Sequence, residues 1–451
     1  MARRKIKAIS KPLEFSSIPL QTTKLPLNRK GYIYKAIAQK RQNLLFKRFS
    51  LHLTIETTQL QMNMKLKILL ISLLISQQMM SQSYQKIHEK AIVVDTHNDI
   101  LMQTADKGYV FDKDLKELTH SDLIRWKEGG LDVQLFSVFC DGEKINPFDF
   151  AKSQMDSLDA VIKRNPDKIA KVANSKELFK AVKQKKLAAM IGVEGGHMIE
   201  NNLDNLDYFY KRGTRYMTLT WNNSTDWATS AYDETFNKEL THKGLTDFGK
   251  QVVQRMNAMG MLVDVSHVGE ETFKDVISTT TKPVIATHSS VYSICPHQRN
   301  LKDYQIQAIA KNGGVIQINF YSGFLDPNYF KNKDAFLEKH KEEVDSLYKT
   351  GKEKHLVEEA IFAKYKSESE ALRAPFSLLM EHIEYIIQLV GVDYVGLGSD
   401  FDGIESTPEQ LNDVTTYPLI TRALVEKGHS EKDIDKILGG NFLRVLKANE
   451  K

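Results

Sequence analysis

The chain has little cysteine, with only Cys140 and Cys295 among 451 residues. At most one disulfide could form, and the sequence does not show whether the two thiols meet. A fold that depends on a dense disulfide framework is therefore excluded, and the simplest interpretation is two buried thiols. The chain also lacks any visible internal repeat, which excludes a solenoid or another repeat array.

An apolar run long enough to cross a bilayer is missing from the N-terminal region, because the run at residues 68–75 is too short. Lys65 and Lys67 precede this run and a polar stretch at residues 76–78 follows it, as in a secretory signal. We therefore predict a signal peptide at residues 62–82 and export to the periplasm or the medium. With no cysteine near Ser81 and no apolar C-terminal tail, the sequence predicts no membrane anchor after the signal is removed.

The net charge of +5 is distributed unevenly along the chain. Residues 1–61 contain 13 Lys or Arg and two acidic residues, whereas from Ser83 onward 47 Lys or Arg face 55 Asp or Glu. The folded part is therefore acidic, which argues against nucleic acid as a partner. A signal peptide works at the N-terminus, so we interpret residues 1–61 as a basic extension that is disordered or stems from an upstream start.

Short apolar runs alternate with amphipathic stretches after Tyr84. Eight runs rich in Val, Ile and Leu predict buried parallel strands at residues 91–95, 131–139, 187–193, 215–220, 261–265, 283–287, 314–319 and 394–398. Helical patterns separate most of them; residues 246–259 follow the candidate cap Thr246 and end before Gly260. This alternation predicts an α/β fold, a (β/α)8 barrel of the TIM type, over residues 83–451.

One segment is longer than a connection in a minimal (β/α)8 barrel needs to be. Residues 325–372 are charged and helical in pattern, and they lie between the seventh and eighth predicted strands. We expect a helical insertion at the mouth of the barrel. A solvated helix pair is the simpler interpretation, and a lid or a homodimer contact is the alternative.

Polar residues follow the predicted strands, at the end where a TIM-type barrel has its active site. They follow strands one, three, five, six and eight of the predicted barrel: His97, Asp99, Glu194, His267, His288, Asp400 and Asp402. Each residue alone has an ordinary explanation, such as a helix cap for Asp99 or a lysine partner for Glu194. Their common placement at one end of the barrel indicates a metal site.

Imidazole and carboxylate ligands together suit Zn2+. Five ligands exceed what one catalytic zinc with an open position needs, and they fit two ions if one carboxylate bridges them. Two such ions can hold a hydroxide between them and polarise a carbonyl group. The residues therefore predict a hydrolase with two zinc ions.

Seven short motifs along the chain carry a resemblance to a known family. They are DTHND at 95–99, GVEGGH at 192–197, GTRYMTLT at 213–220, DVSH at 264–267, THSS at 287–290, RN at 299–300 and GSDFDG at 398–403. With them the chain resembles, over residues 84–449, the membrane dipeptidase (renal dipeptidase) family of zinc metallopeptidases, as a bacterial-type member.

The resemblance implies a role for each matching residue in the metal site. His97 and Asp99 would bind one zinc, His267 and His288 the other, and Glu194 would bridge both ions. The implied reaction is hydrolysis of dipeptides, including those with a D-residue at the C-terminal position. The implied partner is therefore a small peptide.

The resemblance also implies two roles beside the metal ions. Arg299 would grip the free C-terminal carboxylate of the dipeptide, which suits its two-pronged guanidinium. Asp400 would accept the proton from water and pass it to the leaving amine, with Asp402 as the less favoured candidate.

The chain departs from the family pattern directly after the RYMTLT strand. The family often has a histidine there that helps to bind the substrate carbonyl oxygen, whereas this chain has Trp221, followed by Asn222 and Asn223. An indole N–H donates one hydrogen bond but cannot carry a charge. Trp221, a neighbouring Asn or the zinc alone would then assist the carbonyl, so Trp221 and Asn222 are candidate substrate-binding residues.

Two other functions remain open at this point. The chain could be a related metal-dependent amidohydrolase that acts on lactams, cyclic amides or phosphoesters. It could also be a metal-binding protein with weakened catalysis, an alternative that is supported by Trp221 at the usual histidine position. Arg299 favours a substrate with a free carboxylate.

Overall fold

The computed structural model describes residues 29–351 and 354–451, and the side chains of residues 29, 30, 68–83, 354 and 355 lie outside this description. The chain divides into two units, residues 1–78 and 79–451. Helix α1 runs from Arg29 to Lys90, and its sequence contains no proline and a single glycine, Gly31. Few helix breakers are compatible with such a long helix.

The N-terminal predictions fall largely on this helix. Residues 29–61 of the basic extension are helical, while residues 1–28 lie outside the described residues. The side chains of the predicted signal from residue 68 onward are also outside them. Among the helices formed by described residues, none combines the length and the apolar character needed to cross a membrane.

Nine parallel strands form the centre of the second unit. They are β1 (Val94–Asn98), β2 (Val133–Phe139), β3 (Ile169–Lys171), β4 (Leu187–Glu194), β5 (Thr214–Thr218), β6 (Leu262–Asp264), β7 (Ile285–Ala286), β8 (Val315–Ile318) and β9 (Val395–Leu397). Eight of them follow the order β1-β2-β4-β5-β6-β7-β8-β9, and β3 pairs with β4 beside this path. A parallel bridge between Asn98 and Phe401 joins the two ends, so the eight strands form a (β/α)8 barrel.

The eight predicted strands correspond to β1, β2 and β4–β9, which confirms the fold. Strand β1 begins three residues later than predicted. It also ends three residues later, because its ladder continues through the polar residues Thr96, His97 and Asn98, which are fully buried. Strand β3 was not predicted, because three residues carry too little periodicity to be distinguished from a loop.

Helices surround the barrel. After α1 they are α2 (Ile100–Lys107), α3 (Leu123–Glu128), α4 (Pro147–Arg164), α5 (Ser175–Lys183), α6 (Leu203–Arg212), α7 (Ala231–Phe236), α8 (Asp247–Met259), α9 (Glu270–Thr279), α10 (Asp303–Asn312), α11 (Ser322–Leu325), α12 (Tyr329–Lys339), α13 (Lys341–Tyr348), α14 (Lys354–Lys364), α15 (Lys366–Glu370), α16 (Phe376–Val390), α17 (Tyr417–Glu426), α18 (Glu431–Asp435) and α19 (Asn441–Asn449). Short 3-10 turns lie at Gly196–Ile199, Val392–Tyr394 and Val414–Thr416, and a π turn at Lys436–Gly440.

Helix α8 shows the predicted termini. The Thr246 side chain accepts a hydrogen bond from the Gly249 amide, and Gly260 follows the helix in the left-handed region at φ 85°. Both features satisfy backbone groups that a helix end leaves unpaired. The next strand, β6, then starts two residues later.

Apolar side chains fill the barrel below the rim. Val94, Leu135, Met190, Tyr216 and Leu262 come from successive strands of the ring and belong to one buried cluster. A larger cluster lies between the strands and the surrounding helices. Because the interior is packed, the polar residues at the strand ends are held at the mouth by a rigid floor.

The predicted helical insertion is present between β8 and β9, as α12–α15. It is more than a solvated pair, since Phe336 packs against Phe362 with ring centroids 5.3 Å apart and His340 stacks on Tyr365 at 3.6 Å. Helical periodicity predicted these elements but not their internal contacts. Cys140 and Cys295 are buried free thiols, as expected.

Candidate metal centre

Five predicted ligands meet at the carboxyl rim of the barrel. They lie at or after the ends of β1, β4, β6 and β7, and at most 7% of any of them is exposed: His97, Asp99, Glu194, His267 and His288. Parallel strands in a ring bring their carboxyl ends to one side, so residues far apart in the chain become neighbours.

The Glu194 carboxylate lies between two pairs of side chains. Its Oε2 is 3.3 Å from His97 Nε2, and its Oε1 is 2.9 Å from His267 Nε2 and 3.2 Å from His288 Nε2. On the first side, His97 Nε2 is 3.4 Å from Asp99 Oδ2. One oxygen therefore faces His97 and Asp99, and the other faces His267 and His288.

The Nδ1 atoms of two of these histidines have polar partners away from Glu194. His97 Nδ1 is 3.1 Å from the Tyr216 hydroxyl, and His267 Nδ1 is 3.2 Å from Asn222 Oδ1. An amide oxygen can only accept, so His267 carries its proton on Nδ1. The Nε2 lone pair of His267 then points at Glu194.

The third histidine is fixed by a chain of two hydrogen bonds. Thr287 Oγ1 donates to Asp264 Oδ2 at 2.6 Å and therefore accepts from His288 Nδ1–H, 2.9 Å away. Asp264 also accepts from Thr218 Oγ1 at 2.6 Å and from the Ser266 amide at 3.0 Å. A well-anchored carboxylate thus sets the tautomer of His288 through Thr287.

These side chains fit metal binding. His267 Nε2 and His288 Nε2 lie 3.0 Å apart, and His97 Nε2 and Asp99 Oδ1 are buried with no hydrogen-bond partner among the described residues. Burial, reinforced by the charge of Arg299, lowers the pKa of His267 to about 3, so this imidazole is neutral. A tetrahedral ion with bonds of about 2.1 Å separates its ligand atoms by about 3.4 Å, close to the 2.9–3.4 Å measured around Glu194 and His97.

The Asp99 side chain belongs to the ligand cluster and does not cap its helix. It precedes α2, but its side chain makes no capping hydrogen bond there. The backbone at Gly403 approaches the Asp99 and Asp400 carboxylates so closely that a Cβ atom would collide with Asp99. A glycine at this position therefore keeps room for both carboxylates.

Asp400 faces the same space from the loop after β9. Its Oδ1 is 3.9 Å from His97 Nε2, and its Oδ2 accepts a hydrogen bond from Asn319 Nδ2 at 2.8 Å. Burial raises the pKa of Asp400 well above its usual range, against the opposing effect of His97. Its backbone has φ 63°, a left-handed conformation that side chains other than glycine adopt at a cost of roughly 1 kcal/mol or more.

Asp402 lies behind the ligands and has other partners. Its Oδ1 accepts from the His120 amide at 2.6 Å, and its Oδ2 accepts from the hydroxyl of Ser121 and from Asn98 Nδ2. These bonds connect the loop after β9 to the segment before α3. The structure therefore places Asp400, and not Asp402, at the ligand cluster.

Arg299 is buried beside His288. Its Nη2 donates to the His288 carbonyl at 3.3 Å, its guanidinium lies 5.4 Å from the centre of the Phe324 ring, and its Nε has no partner among the described residues. Burial lowers the pKa of Arg299 to about 10, so it stays positively charged at neutral pH. A buried cation with spare donors suits a carboxylate ligand.

Trp221 and Asn222 lie next to the ligands in different ways. The Trp221 ring is partly exposed, with its centre 6.4 Å from that of His267 and 4.9 Å from that of Phe139. Asn222 directs its side-chain oxygen at His267 Nδ1. Trp221 thus faces the mouth, while Asn222 orients a candidate ligand.

Sequence reasoning missed the residues that hold the ligands in place. Thr287 and Tyr216 contact histidines, Asp264 holds Thr287, and Asn319 contacts Asp400. A signal was available for Asp264, a carboxylate three residues before His267 in the DVSH motif. Tyr216 and Asn319 gave no such signal, because their contacts cross between strands of the barrel.

A sequence profile of the membrane dipeptidase family, peptidase family M19, matches residues 81–451. The chain belongs to the membrane dipeptidase family. Membership makes the chain a peptide hydrolase of the metallopeptidase class, as the motifs predicted. A metallopeptidase needs a metal site, and the side chains clustered at the rim could hold a metal ion.

Two proteins that are similar to this chain can be compared with it over most of its length. An uncharacterised dipeptidase of Schizosaccharomyces pombe is 31% identical over 389 residues, which cover 82% of this chain and 83% of the relative. The chain is also similar to the probable dipeptidase PvdM of Pseudomonas aeruginosa, with a TM-score of 0.68, 24% identity, and coverage of 83% of this chain and 99% of the other.

A second solved structure, a metallopeptidase from Rhodobacter sphaeroides, has a TM-score of 0.65 at 22% identity and covers 80% of this chain and 100% of the other. It is liganded with a phosphinate mimic of the dipeptide L-Ala-D-Ala. At these identities the solved structures show a common fold with this member of the family.

Proposed function

We propose that the chain hydrolyses dipeptides with two Zn2+ ions at the barrel mouth. His97 and Asp99 would hold one ion, His267 and His288 would hold the other, and Glu194 would serve both. This proposal depends on one observation, that the two oxygens of the Glu194 carboxylate face different histidines. Oε2 lies 3.3 Å from His97 Nε2, and Oε1 lies 2.9 Å from His267 Nε2.

The donor set supports zinc as the metal. Imidazole nitrogen and carboxylate oxygen are zinc ligands, whereas Mg2+ and Ca2+ prefer sites built from oxygen. When bound, the ions supply Lewis acidity, which polarises a carbonyl group and acidifies water. The protein contributes histidines whose tautomers are already set by Asn222 and Thr287.

Asp400 is the residue that holds and moves the proton. Its Oδ1 faces the ligand cluster, and the bond from Asn319 Nδ2 to Oδ2 fixes the plane of the carboxylate. From this position it takes a proton from the attacking water and returns it to the leaving amine.

Arg299 binds the free carboxylate at the C-terminal end of the dipeptide. Its buried guanidinium has a spare Nε donor and retains its charge at neutral pH. A carboxylate held here places the peptide carbonyl toward Glu194, because Arg299 contacts the backbone of the neighbouring ligand His288. We extend to this chain the acceptance of a D-residue at the C-terminal position, in line with the L-Ala-D-Ala mimic bound by the Rhodobacter sphaeroides structure.

Trp221 and Asn222 complete the proposed substrate site. Trp221 contributes a ring and an indole N–H at the mouth, and Asn222 acts through the orientation of His267.

The further proposal of export rests on Lys65, Lys67 and the apolar run at residues 68–75. Mass spectrometry of the exported protein should find an N-terminus near Ser83, and a peptide from residues 1–61 would contradict cleavage there.

The variant Glu194→Gln tests the metal assignment. It keeps the size of the side chain but removes the negative charge that both sets of ligands share, so we expect bound zinc to fall below two ions and kcat/KM to fall at least about 1,000-fold. Zinc content by mass spectrometry and dipeptide hydrolysis measure both effects. The exposed Glu239→Gln is the matched control, and full zinc content with full activity in Glu194→Gln would refute the bridge.

Dipeptides with an amidated C-terminus distinguish a dipeptidase from an amidohydrolase for lactams or cyclic amides. Arg299 predicts that amidation lowers kcat/KM about 100-fold or more, because a buried charge then loses its partner. Equal rates for free and amidated dipeptides would favour the amidohydrolase.

A further inference from the structure

Two aromatic side chains form one side of the barrel mouth. Phe139 ends β2 and Trp221 follows β5, and their ring centroids are 4.9 Å apart with the planes tilted by 59°. Both residues are partly exposed. We call this pair, Phe139 and Trp221, the aromatic wall.

The backbone fixes the aromatic wall at the level of the ligands. Phe139 is the register partner of Glu194, so the two side chains project to the same side of the sheet, into the barrel mouth. Gln154 holds the Phe139 backbone through two bonds, from the Phe139 amide to Oε1 at 2.9 Å and from Nε2 to the Phe139 carbonyl at 2.7 Å. Phe139 is thus held by a strand, whereas Trp221 lies in the loop after β5.

The loops that carry the two rings also contact each other. The backbone at Gly142, three residues after Phe139, lies so close to the Asn223 side chain that a Cβ atom there would collide with it. Asn223 in turn is two residues after Trp221. The loops after β2 and β5 therefore meet across the end of β4, where Glu194 lies.

Phe139 lies across the barrel mouth from Arg299, and Trp221, which follows the fourth strand of the ring, β5, lies between the two. In the ring of eight, β2 is the second strand and β7 is the sixth, four positions away. Arg299 is fixed at the carboxyl end of β7 through the His288 carbonyl. A dipeptide whose carboxylate is bound by Arg299 and whose peptide carbonyl lies at Glu194 therefore directs its N-terminal residue toward β2 and β5.

We propose that the aromatic wall receives the side chain of the N-terminal residue and selects dipeptides in which that side chain is apolar or aromatic. This inference rests on the proposed function and specifies its substrate class. Phe139 offers only a ring, and Trp221 adds an uncharged N–H, so the wall provides apolar surface and no compensating charge. An apolar side chain loses contact with water there, while a charged one would lose hydration without a partner.

The wild-type protein already tests the preference with a panel of dipeptides that share C-terminal glycine. We expect kcat/KM for Phe-Gly and Leu-Gly to exceed that for Gly-Gly and Asp-Gly by about tenfold or more, since burying one apolar side chain gives an effect of that size. Equal or higher values for Gly-Gly or Asp-Gly would overturn the proposal without any variant.

Variants at Trp221 assign the preference to the wall. In Trp221→Ala the ratio of kcat/KM for Phe-Gly to that for Gly-Gly should fall about tenfold, whereas Trp221→Phe, which keeps a ring but removes the N–H, should retain most of the ratio. Phe236→Ala is the matched control, because Phe236 is an aromatic residue on α7 with 56% of its surface exposed. We expect it to leave the ratio unchanged.

The outcomes separate this inference from the proposed function. A ratio that stays within twofold in Trp221→Ala, with dipeptides still cleaved, overturns the aromatic wall and leaves the dipeptidase proposal intact. A loss in Trp221→Phe that is equal for all substrates assigns Trp221 the role of hydrogen-bond donor and also overturns the wall. No hydrolysis of any dipeptide by the zinc-loaded wild type overturns both.

Discussion

Buried carboxylates of two kinds lie near the candidate metal centre, and their hydrogen bonds distinguish them. Asp95 accepts from Ser399 and Tyr417, and Asp264 is likewise surrounded by donors. Glu194 instead faces three imidazole nitrogens, and one oxygen of Asp99 has no partner among the described residues. Glu194 has one long hydrogen bond besides, from Ser137 Oγ to Oε2 at 3.5 Å. A buried carboxylate needs compensation, so Glu194 and Asp99, which have few donors, are the ones that suit a cation.

Asp132 is a third case, near the opposite end of β2 from the candidate metal centre. Burial raises the pKa of its carboxyl to about 6, although one oxygen accepts from the Val93 amide at 3.0 Å. Because this folded-state pKa lies above the ordinary value of 3.8, folding favours the protonated form. The stabilising contribution is fully present below about pH 4 and is lost as the pH rises through 6.

The variant Asp132→Asn should remove this dependence, since the amide oxygen still accepts and carries no charge. We expect its free energy of unfolding, relative to wild type, to rise by about 2 kcal/mol between pH 4 and pH 7. Urea unfolding across this range measures the difference. The exposed Asp167→Asn should show no such rise, and a difference for Asp132→Asn that does not vary with pH would disprove the argument.

At the scale of secondary-structure elements, the helical insertion is attached to the loop that carries Asp400. Lys333 of α12 is buried and lies 2.8 Å from Glu405 Oε1, in that loop, and 2.8 Å from Glu358 Oε2, in α14. The Tyr321 hydroxyl, after β8, also donates to Glu405 Oε1 at 2.5 Å. One ammonium group thus joins two insertion helices to the rim.

Replacing Lys333 by Met should loosen the insertion. The change leaves two partly buried carboxylates without their shared cation, so we expect a loss of about 2–4 kcal/mol in unfolding free energy. Lys339→Met, which removes an exposed pair with Glu368 on the same insertion, should cost no more than about 1 kcal/mol. Thermal unfolding and limited proteolysis within residues 325–372 compare the variants, and equal losses would contradict a specific role for Lys333.

At the scale of the whole molecule, metal binding should be coupled to the stability of the barrel. The ligands come from four strands and are brought together only in the folded state, so an ion that binds them stabilises the folded chain. With zinc at about 1,000 times its dissociation constant, the gain is about 4 kcal/mol, which corresponds to roughly 5 °C in Tm for a protein of this size.

Calorimetry of chelator-treated protein, with and without added zinc, measures this shift. Added Mg2+ serves as the control, because it prefers oxygen ligands and should raise Tm much less. An unchanged Tm on zinc addition would show that the cluster around Glu194 binds no ion, whatever the activity.

Local patterns made most of the fold predictable. Apolar runs located all eight barrel strands, and the charged helical pattern located the insertion. Strand β3 escaped because three residues show no period, and the extended end of β1 escaped because its polar residues resemble a loop. In both cases the strand exists because a neighbouring strand supplies hydrogen bonds, which the segment itself does not reveal.

The amino-acid sequence by itself determined the barrel, the residue types of a metal site and their position after the strands, since periodicities of 2 and 3.6 are properties of near neighbours in the chain. The resemblance already favoured Asp400 over Asp402. Only the tertiary structure decided that Asp402 bonds His120 and Ser121 instead, that Asn222 contacts His267, and that Trp221 pairs with Phe139. These contacts depend on strand register and on closure of the ring, which are set by packing between distant segments.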